Sequence, residues 1–169
     1  MVDFEAALRA KLERNAELAQ ERERAEEEMD RLAQEQAAAR IRAEHERREA
    51  QMARHRELVE ALQAAANHLK AADPDTFVVR LGWTESRQEF IAKISTRQVH
   101  PARSLFVALD RDDDEVLVRW HSDLGNALEL WRLLEVQPAV IDQLVLQVAD
   151  QDMWRGLDRP PGFPRLHEH

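Results

Sequence analysis

The sequence is poor in several residues on which common catalytic and binding sites depend. Its 169 residues include no cysteine, no tyrosine and only 4 glycines. A chain without cysteine forms no disulfide framework, no thiolate zinc site and no cysteine nucleophile. Four glycines leave little material for a glycine-rich phosphate loop. No apolar run approaches the roughly 18 residues of a membrane span, and acids interrupt the first residues where a secretory signal would be apolar. We therefore expect a cytoplasmic protein with no membrane partner.

Composition divides the chain near Asp73-Pro74. Residues 1–72 contain no glycine, proline or tryptophan, whereas all 4 tryptophans follow that point. The first segment consists mainly of Ala, Glu, Arg, Gln and Leu, which are strong helix formers, and the residue before a proline is disfavoured in a helix. We predict one charged helix over 1–72, a small α+β domain over 73–154 and an extended Pro-rich tail over 155–169. The Pro161-Gly-Phe-Pro164 stretch of the tail has the spacing of a polyproline ligand, although such spacing often occurs by chance. His167-Glu168-His169 could bind a metal adventitiously, but a solvated terminus is favoured.

A helix of about 70 residues would be roughly 105 Å long, which is typical of a coiled coil or of a free-standing charged helix. Its central seven-residue repeat is weak, because the core rows contain mostly alanine and are interrupted by Glu46 and Glu57. Apolar stripes are stronger near both ends, and they favour pairing over an isolated helix. The predicted pairing residues are Leu8, Leu12, Met29, Leu32, Leu58, Leu62 and Leu69.

Charge along this helix favours an antiparallel homodimer. Residues 1–30 hold 10 acids and 5 bases, net −5, whereas residues 31–72 hold 6 acids and 8 bases, net +2. An antiparallel arrangement sets the acidic half of one helix against the basic half of the other. The competing interpretation is that exposed charges are screened and contribute little to orientation.

The second part of the chain has the pattern of a small antiparallel sheet with two C-terminal helices. Strands are predicted at 76–81, 104–110 and 115–121, and the last two flank an Asp-rich turn that indicates a hairpin. Residues 86–97 fit either a strand or a helix that starts with a capping box, and the strand is favoured. One helix is predicted to start at Ser122 or Asp123, with a core face of Leu124, Leu128, Trp131 and either Leu134 or Glu135. A second starts at Pro138 and continues to about Trp154. The fold class is α+β with about three strands.

The search for catalytic chemistry predicts no enzyme, no metal and no cofactor. The acids Asp110, Asp112 and Asp114 lack the glycine and the final glutamate of a calcium loop, so a solvated turn is favoured. His121-Ser122-Asp123 lie next to one another in sequence, whereas catalytic groups usually converge from distant positions. A small enzyme with a site around His100 or His121 remains a third hypothesis.

Two binding functions remain. The leading hypothesis is a non-enzymatic assembly or scaffold protein that self-associates through the long helix and presents the α+β domain to an unidentified protein partner. The second is a nucleic-acid-associated accessory protein with an arginine-rich sheet face. Residues 73–169 hold 11 bases and 17 acids, net −6, which opposes phosphate binding unless the charges segregate. The candidate contacts are Arg80, Trp83, Arg87, Lys93, Arg97, Arg103 and Arg119.

Overall fold

The computed structural model describes residues 3–166. Contacts between residues divide the chain into two units, Met1–Arg47 and Arg48–His169. The first unit is helical. The second contains the end of the same helix together with every strand. The terminal His167-Glu168-His169 stretch lies outside the described residues.

The N-terminal helix α1 comprises Phe4–Ala72. The carboxylate of Asp3 caps its first turn, because Oδ1 accepts hydrogen bonds from the amides of Glu5 and Ala6 at 3.1 and 3.4 Å. The helix ends before Asp73-Pro74, where the Asp73 carboxylate accepts a bond from the Thr76 amide. The predicted long helix and its end point are confirmed.

The sheet is antiparallel, and its five strands lie side by side in chain order. The strands are β1 (Phe77–Trp83), β2 (Glu89–Thr96), β3 (Arg103–Asp110), β4 (Glu115–Ser122) and β5 (Gly125–Trp131). The strand interpretation of residues 86–97 and the hairpin across the Asp-rich turn are confirmed. The expected count of about three strands is wrong, since there are five.

The helix predicted from Ser122 to Leu134 is also wrong, because this stretch forms β5 followed by a short 3-10 turn at Leu133–Glu135. Ser122 and Asp123 hold the β4–β5 turn and do not cap a helix. The Ser122 hydroxyl donates to the Gly125 carbonyl at 2.7 Å and accepts from the Leu124 amide. Gly125 has a φ of 121°, a backbone conformation that side-chain-bearing residues rarely adopt.

Two helices follow the sheet. Helix α2 comprises Pro138–Ala149, with proline in its first turn as predicted, and the short helix α3 comprises Gln151–Arg155. The apolar stripe predicted for α2 is buried, and its members are Ile141, Leu144, Val145 and Val148. The Asp150 carboxylate accepts a bond from the Met153 amide and caps α3.

One hydrophobic core lies between the helices and one face of the sheet in the second unit. Strand residues at alternate positions, such as Ile94, Leu105 and Trp120, are fully buried there. On α1, the buried positions Leu58, Leu62 and Ala66 recur every four residues, so one helix stripe faces this core.

The C-terminal segment, predicted as an extended tail, has no helix or strand over 156–166 and packs on this core. Pro161 is buried, and the Phe163 ring is parallel to the Trp120 ring with their centroids 6.1 Å apart. Phe163 also meets the edge of Trp131. The proline-rich spacing therefore serves contacts within the same chain in this structure.

Candidate interaction surfaces

The first candidate surface lies on α1 within the first unit, and we call residues 4–43 the free helix. Its predicted pairing residues Leu8, Leu12, Met29 and Leu32 are all exposed. Phe4, Leu18 and Ile41 are also large, apolar and exposed, although the sequence interpretation did not include them. Exposed ion pairs along the helix, such as Arg14–Glu17 at 3.1 Å, add only a little helix stability.

The other predicted pairing residues lie elsewhere. Leu58 and Leu62 are 0% exposed within the core of the second unit, and Leu69 packs against that core. Their apolar stripe is already covered by the chain's own sheet and helices. They therefore cannot pair with a second helix in this structure, and the pairing hypothesis rests on the free helix alone.

The second candidate surface is the face of the sheet opposite the core, which we call the open face. Strand pairing places Arg80 directly opposite Lys93, Lys93 opposite Phe106, and Phe106 opposite Arg119. The three cations thus lie in one lateral row across the strands, called here the basic row (Arg80, Lys93, Arg119). The guanidinium of Arg119 lies 4.7 Å from the centre of the Phe106 ring, which holds it against the sheet.

Arg97 extends this cationic region past the end of β2. With Val78, Arg80, Lys93 and Ser95 it lines an open groove of about 270 Å³. Arginine and lysine side chains that converge with a hydroxyl are suited to binding an anionic group. Three cationic side chains therefore line this groove.

The remaining predicted nucleic-acid contacts do not join the basic row. Trp83 points to the core side, where its ring centroid is 5.1 Å from that of Phe90 and 5.7 Å from that of His55. Arg87 lies in the turn between β1 and β2. Arg103 is buried and donates hydrogen bonds to the carbonyl of Val148, so its role is structural.

The open face also carries an acidic row and an apolar row. Glu89, Asp110 and Glu115 are direct cross-strand neighbours and form the acidic row. Between the basic and acidic rows lies the apolar row, whose members are Ile91, Ala108, Leu117 and Leu130. The sequence interpretation missed both rows, although the charged residues at alternate positions in 89–95 and 115–121 indicate an exposed face.

The closeness of the carboxylates in the acidic row affects their pKa values. Burial raises the pKa of Glu89, and the nearby carboxylates of Asp110, Glu115 and Asp113 raise it further. The carboxylate of Asp110 instead accepts bonds from Gln88 Nε2 and from two amides of the β3–β4 turn. Hydrogen bonding from Gln88 and the turn lowers the pKa of Asp110 against the opposing effect of its burial.

Residues considered for chemistry are engaged in local structure. His121 Nδ1 lies 2.8 Å from Asn126 Oδ1, and Asp123 accepts a bond from the Ala102 amide. A shallow pocket of about 180 Å³ lies beside His121, Ser122 and Asp123. His100 Nδ1 lies 3.8 Å from Asp123 Oδ2 and is exposed. The Ser122 hydroxyl proton is directed at a backbone carbonyl, so its geometry is that of a turn residue.

Two of the turn acids considered for calcium bind backbone groups, and the third, Asp112, pairs with Arg111. Asp114 Oδ1 accepts a bond from the Leu133 amide, and Asp110 accepts two from its own turn. Among residues 3–166, no group of three or more His, Asp or Glu side chains is placed to hold a metal ion. Within the same range, no helix combines the length and apolar character needed to cross a lipid bilayer.

No protein-family model, curated protein or solved structure matches this chain. Functional inference therefore depends on the geometry of the free helix and the open face.

Proposed function

We propose that this chain is a non-enzymatic assembly protein whose free helix pairs antiparallel with the free helix of a second copy and displays the α+β unit. The observation that carries the proposal is an exposed apolar stripe. At 3.6 residues per turn, Phe4, Leu8, Leu18, Met29 and Leu32 fall within an arc of about 120°, and all five are exposed. Burying such a stripe against another helix is the usual source of stability for a long helix.

The pattern of large and small side chains favours an antiparallel partner. With Phe4 opposite Ala43 of the partner subunit, each large residue near one end of the helix meets a small one near the other. Leu8 then lies opposite Ala39 of the partner subunit, and Leu18 opposite Met29 of the partner subunit at the centre. In a parallel pair, Phe4 would instead face Phe4 of the partner subunit, and Ala39 would face Ala39 of the partner subunit. The helices would then be far apart at the large residues and close together at the small ones. Polar residues at four core positions weaken either arrangement: Lys11, Asn15, Arg22 and Gln36.

Flanking charges favour the same direction. In the antiparallel register, Glu5 lies near Arg40 of the partner subunit, and Arg14 lies near Glu35 of the partner subunit. One like-charge contact remains, between Glu21 and Glu28 of the partner subunit. Each exposed ion pair contributes about 0.2–1 kcal/mol to the stability of the dimer. Because the dimer has two-fold symmetry, each pair occurs twice.

A parallel pair has the less favourable balance of charges. Its one attractive contact joins Glu35 to Arg40 of the partner subunit. It also sets Arg42 against Arg47 of the partner subunit and Glu21 against Glu26 of the partner subunit. Two repulsive contacts against one attractive contact oppose this orientation, whereas the antiparallel register has two attractive contacts against one repulsive.

Light scattering coupled to size-exclusion chromatography tests the pairing. Below micromolar protein concentration, the double variant Leu18→Glu/Met29→Glu, which buries acids at the centre of the proposed seam, should convert a dimer to a monomer. Ile41→Glu is the matched control, because Ile41 is 73% exposed but lies outside the stripe. Equal masses for the parent chain and the double variant would reject helix pairing.

Charge reversal then tests the direction. Arg14→Glu should weaken the dimer because it faces Glu35 of the partner subunit, and adding Glu35→Arg should restore it. In a parallel pair Glu35→Arg would face Arg40 of the partner subunit and weaken the dimer further. The sign of the second change therefore distinguishes the two arrangements by sedimentation equilibrium.

A nucleic-acid-associated function is the second candidate, and the basic row with its groove is the observation in its favour. Phosphate contacts from Arg80, Lys93, Arg97 and Arg119 would give an affinity that falls steeply with salt. The acidic row on the same face opposes this function. Fluorescence anisotropy with a labelled single-stranded oligonucleotide at about 50 mM salt tests it. Binding that weakens with salt and with Arg97→Glu supports it, and no binding at that salt concentration excludes it.

A further inference from the structure

The order of the three rows gives the open face an internal symmetry. Along the strands, the basic row and the acidic row lie two residues to either side of the apolar row. On β2 this order is Lys93, Ile91 and Glu89, and on β4 it is Arg119, Leu117 and Glu115. Rotation by 180° about an axis along the apolar row therefore exchanges basic and acidic positions on these two strands.

Both charged rows set like charges next to one another. Arg80 and Lys93 are direct cross-strand partners, and so are Asp110 and Glu115. Like charges in such positions destabilise a sheet unless something else neutralises them. Among residues 3–166, the ion pairs of the structure include no member of the basic or the acidic row.

The apolar row provides the contact surface between the charges. Leu130 is 57% exposed, and Leu128, one row nearer the basic end, is 55% exposed. At the middle of the row, Ala108 is only 3% exposed, so the contact surface consists of the other members of the row. The two exposed leucines and the half-buried Ile91 and Leu117 form an apolar strip with charged borders. Such a strip is typical of an interface.

We propose that the open face binds the open face of a second copy of this chain, with a two-fold axis lying along the apolar row. The basic row of each copy then lies over the acidic row of the other. Lys93 faces Glu89 of the partner subunit, and Arg119 faces Glu115 of the partner subunit. Ala108 faces Ala108 of the partner subunit. Two sheets packed in this way form an aligned sandwich with an isologous interface.

The area of the open face limits the expected affinity between the two copies. Five strands spaced about 4.8 Å apart give a width of about 24 Å, and the three rows with their side chains cover about 20 Å along the strands. Each copy therefore contributes about 500 Å², which is less than the roughly 800 Å² of a standard stable interface. We expect a reversible dimer that forms at micromolar or higher concentration and weakens with salt.

This self-association does not depend on helix pairing. Together the two surfaces would give each chain two separate isologous contacts, through which copies can assemble beyond a dimer. The acidic row makes a second copy a better occupant than a nucleic acid, since phosphates would be attracted to one border of the face and repelled by the other.

Sedimentation equilibrium of the full chain in the Leu18→Glu/Met29→Glu background isolates the open face from the free helix. In this background, Lys93→Glu and Glu89→Lys should each raise the dimer Kd about tenfold, because each sets like charges opposite one another twice per dimer. The combined variant should restore the Kd. Glu89 and Lys93 are four residues apart on one strand, about 13 Å, so such rescue requires contact between copies.

Arg159→Glu is the matched control, since Arg159 is exposed and lies outside all three rows. It should leave the Kd unchanged, and circular dichroism should give the same melting curve for every variant. A background that stays monomeric at all concentrations, or a combined variant without rescue, would overturn the proposal without affecting helix pairing. The proposal is also overturned if Lys93→Glu abolishes oligonucleotide binding and leaves self-association unchanged.

Discussion

Substitution of Arg103 distinguishes a structural role of this side chain from a role in nucleic-acid binding. Arg103 is 3% exposed, and its guanidinium donates two hydrogen bonds to the Val148 carbonyl at 3.0 and 2.7 Å. It also donates to the Pro101 carbonyl at 2.9 Å and to Gln151 Oε1 at 2.7 Å. The guanidinium carbon lies 5.3 Å from the centre of the Trp154 ring. The side chain thus ties the start of β3 to the end of α2 and to α3.

The cost of Arg103→Met follows from the acceptors that remain. Methionine keeps most of the apolar stem, and removing the cation also removes its desolvation cost. The buried Val148 carbonyl loses both of its Arg103 donors at a cost of about 1–3 kcal/mol, and the part-buried Pro101 carbonyl loses one at a smaller cost. We expect a loss of about 3 kcal/mol, which is a large share of the stability of a typical domain.

Arg103→Lys should destabilise the fold at least as much. An ammonium keeps the buried charge, but its compact geometry cannot match the three separate acceptors of the guanidinium. A phosphate contact would instead tolerate lysine, since lysine retains the positive charge.

Urea denaturation followed by circular dichroism measures these changes, with an unaltered m-value indicating that only stability has changed. Arg97→Met is the control, because Arg97 is exposed beyond the end of β2 and should cost less than about 0.5 kcal/mol. A loss below about 1 kcal/mol for Arg103→Met, or full stability for Arg103→Lys, would refute the structural role.

Two further predictions concern the second unit. Phe163→Ala should lower the free energy of unfolding by about 2 kcal/mol, because it removes ring contacts with Trp120 and Trp131; no change in a denaturant titration would mean that the C-terminal segment is free in solution. Burial lowers the pKa of His55 below its ordinary 6.5, although the Leu109 carbonyl, 2.9 Å from Nε2, partly offsets this effect. Below pH 6.5 the unfolded chain therefore binds a proton that the folded chain does not, so this contribution to stability is complete above pH 6.5 and is lost as the pH falls towards the folded pKa. Denaturant titrations at pH 5.5 and 7.5 should show a smaller pH difference for His55→Gln, and an equal difference in both proteins would contradict the assignment.

Local patterns predicted the elements whose neighbours in sequence also determine their structure. The uninterrupted helix formers before Asp73-Pro74 predicted the end of α1, and Pro138 predicted the start of α2. The alternation of Val116, Val118 and Trp120 predicted β4. In these segments the conformational preferences of the residues, the spacing of apolar side chains and the positions of the prolines all indicate the same structure.

Strand β5 shows where such patterns fail. Residues 127–131 are mostly good helix formers, and Leu124, Leu128 and Trp131 have helical spacing. Pairing with β4 outweighs this preference, since the positive φ of Gly125 makes a tight turn that returns the chain along β4. Leu128 and Trp131 consequently lie on opposite faces of the sheet.

The candidate surfaces were only partly predictable for a related reason. An apolar helix stripe must be buried, but its sequence does not specify the partner. Leu58 and Leu62 face the chain's own sheet, whereas Leu8 and Leu32 remain exposed. The basic row was predicted in part, because its residues alternate along strands, but Arg103 has the opposite parity on β3 and faces the core.

Site-specific crosslinking tests the central claim of antiparallel helix pairing most directly. Because the sequence contains no cysteine, only the introduced cysteines can form disulfides. Two full-length chains are made, one with Leu18→Cys and one with Met29→Cys, mixed in equal amounts, oxidised gently and analysed by mass spectrometry. The proposed register places these positions opposite each other, within the Cα separation that a disulfide requires. We expect the mixed disulfide between the two chains as the main product. Disulfides that join each chain only to its own kind, or no crosslink at any concentration, would contradict the account.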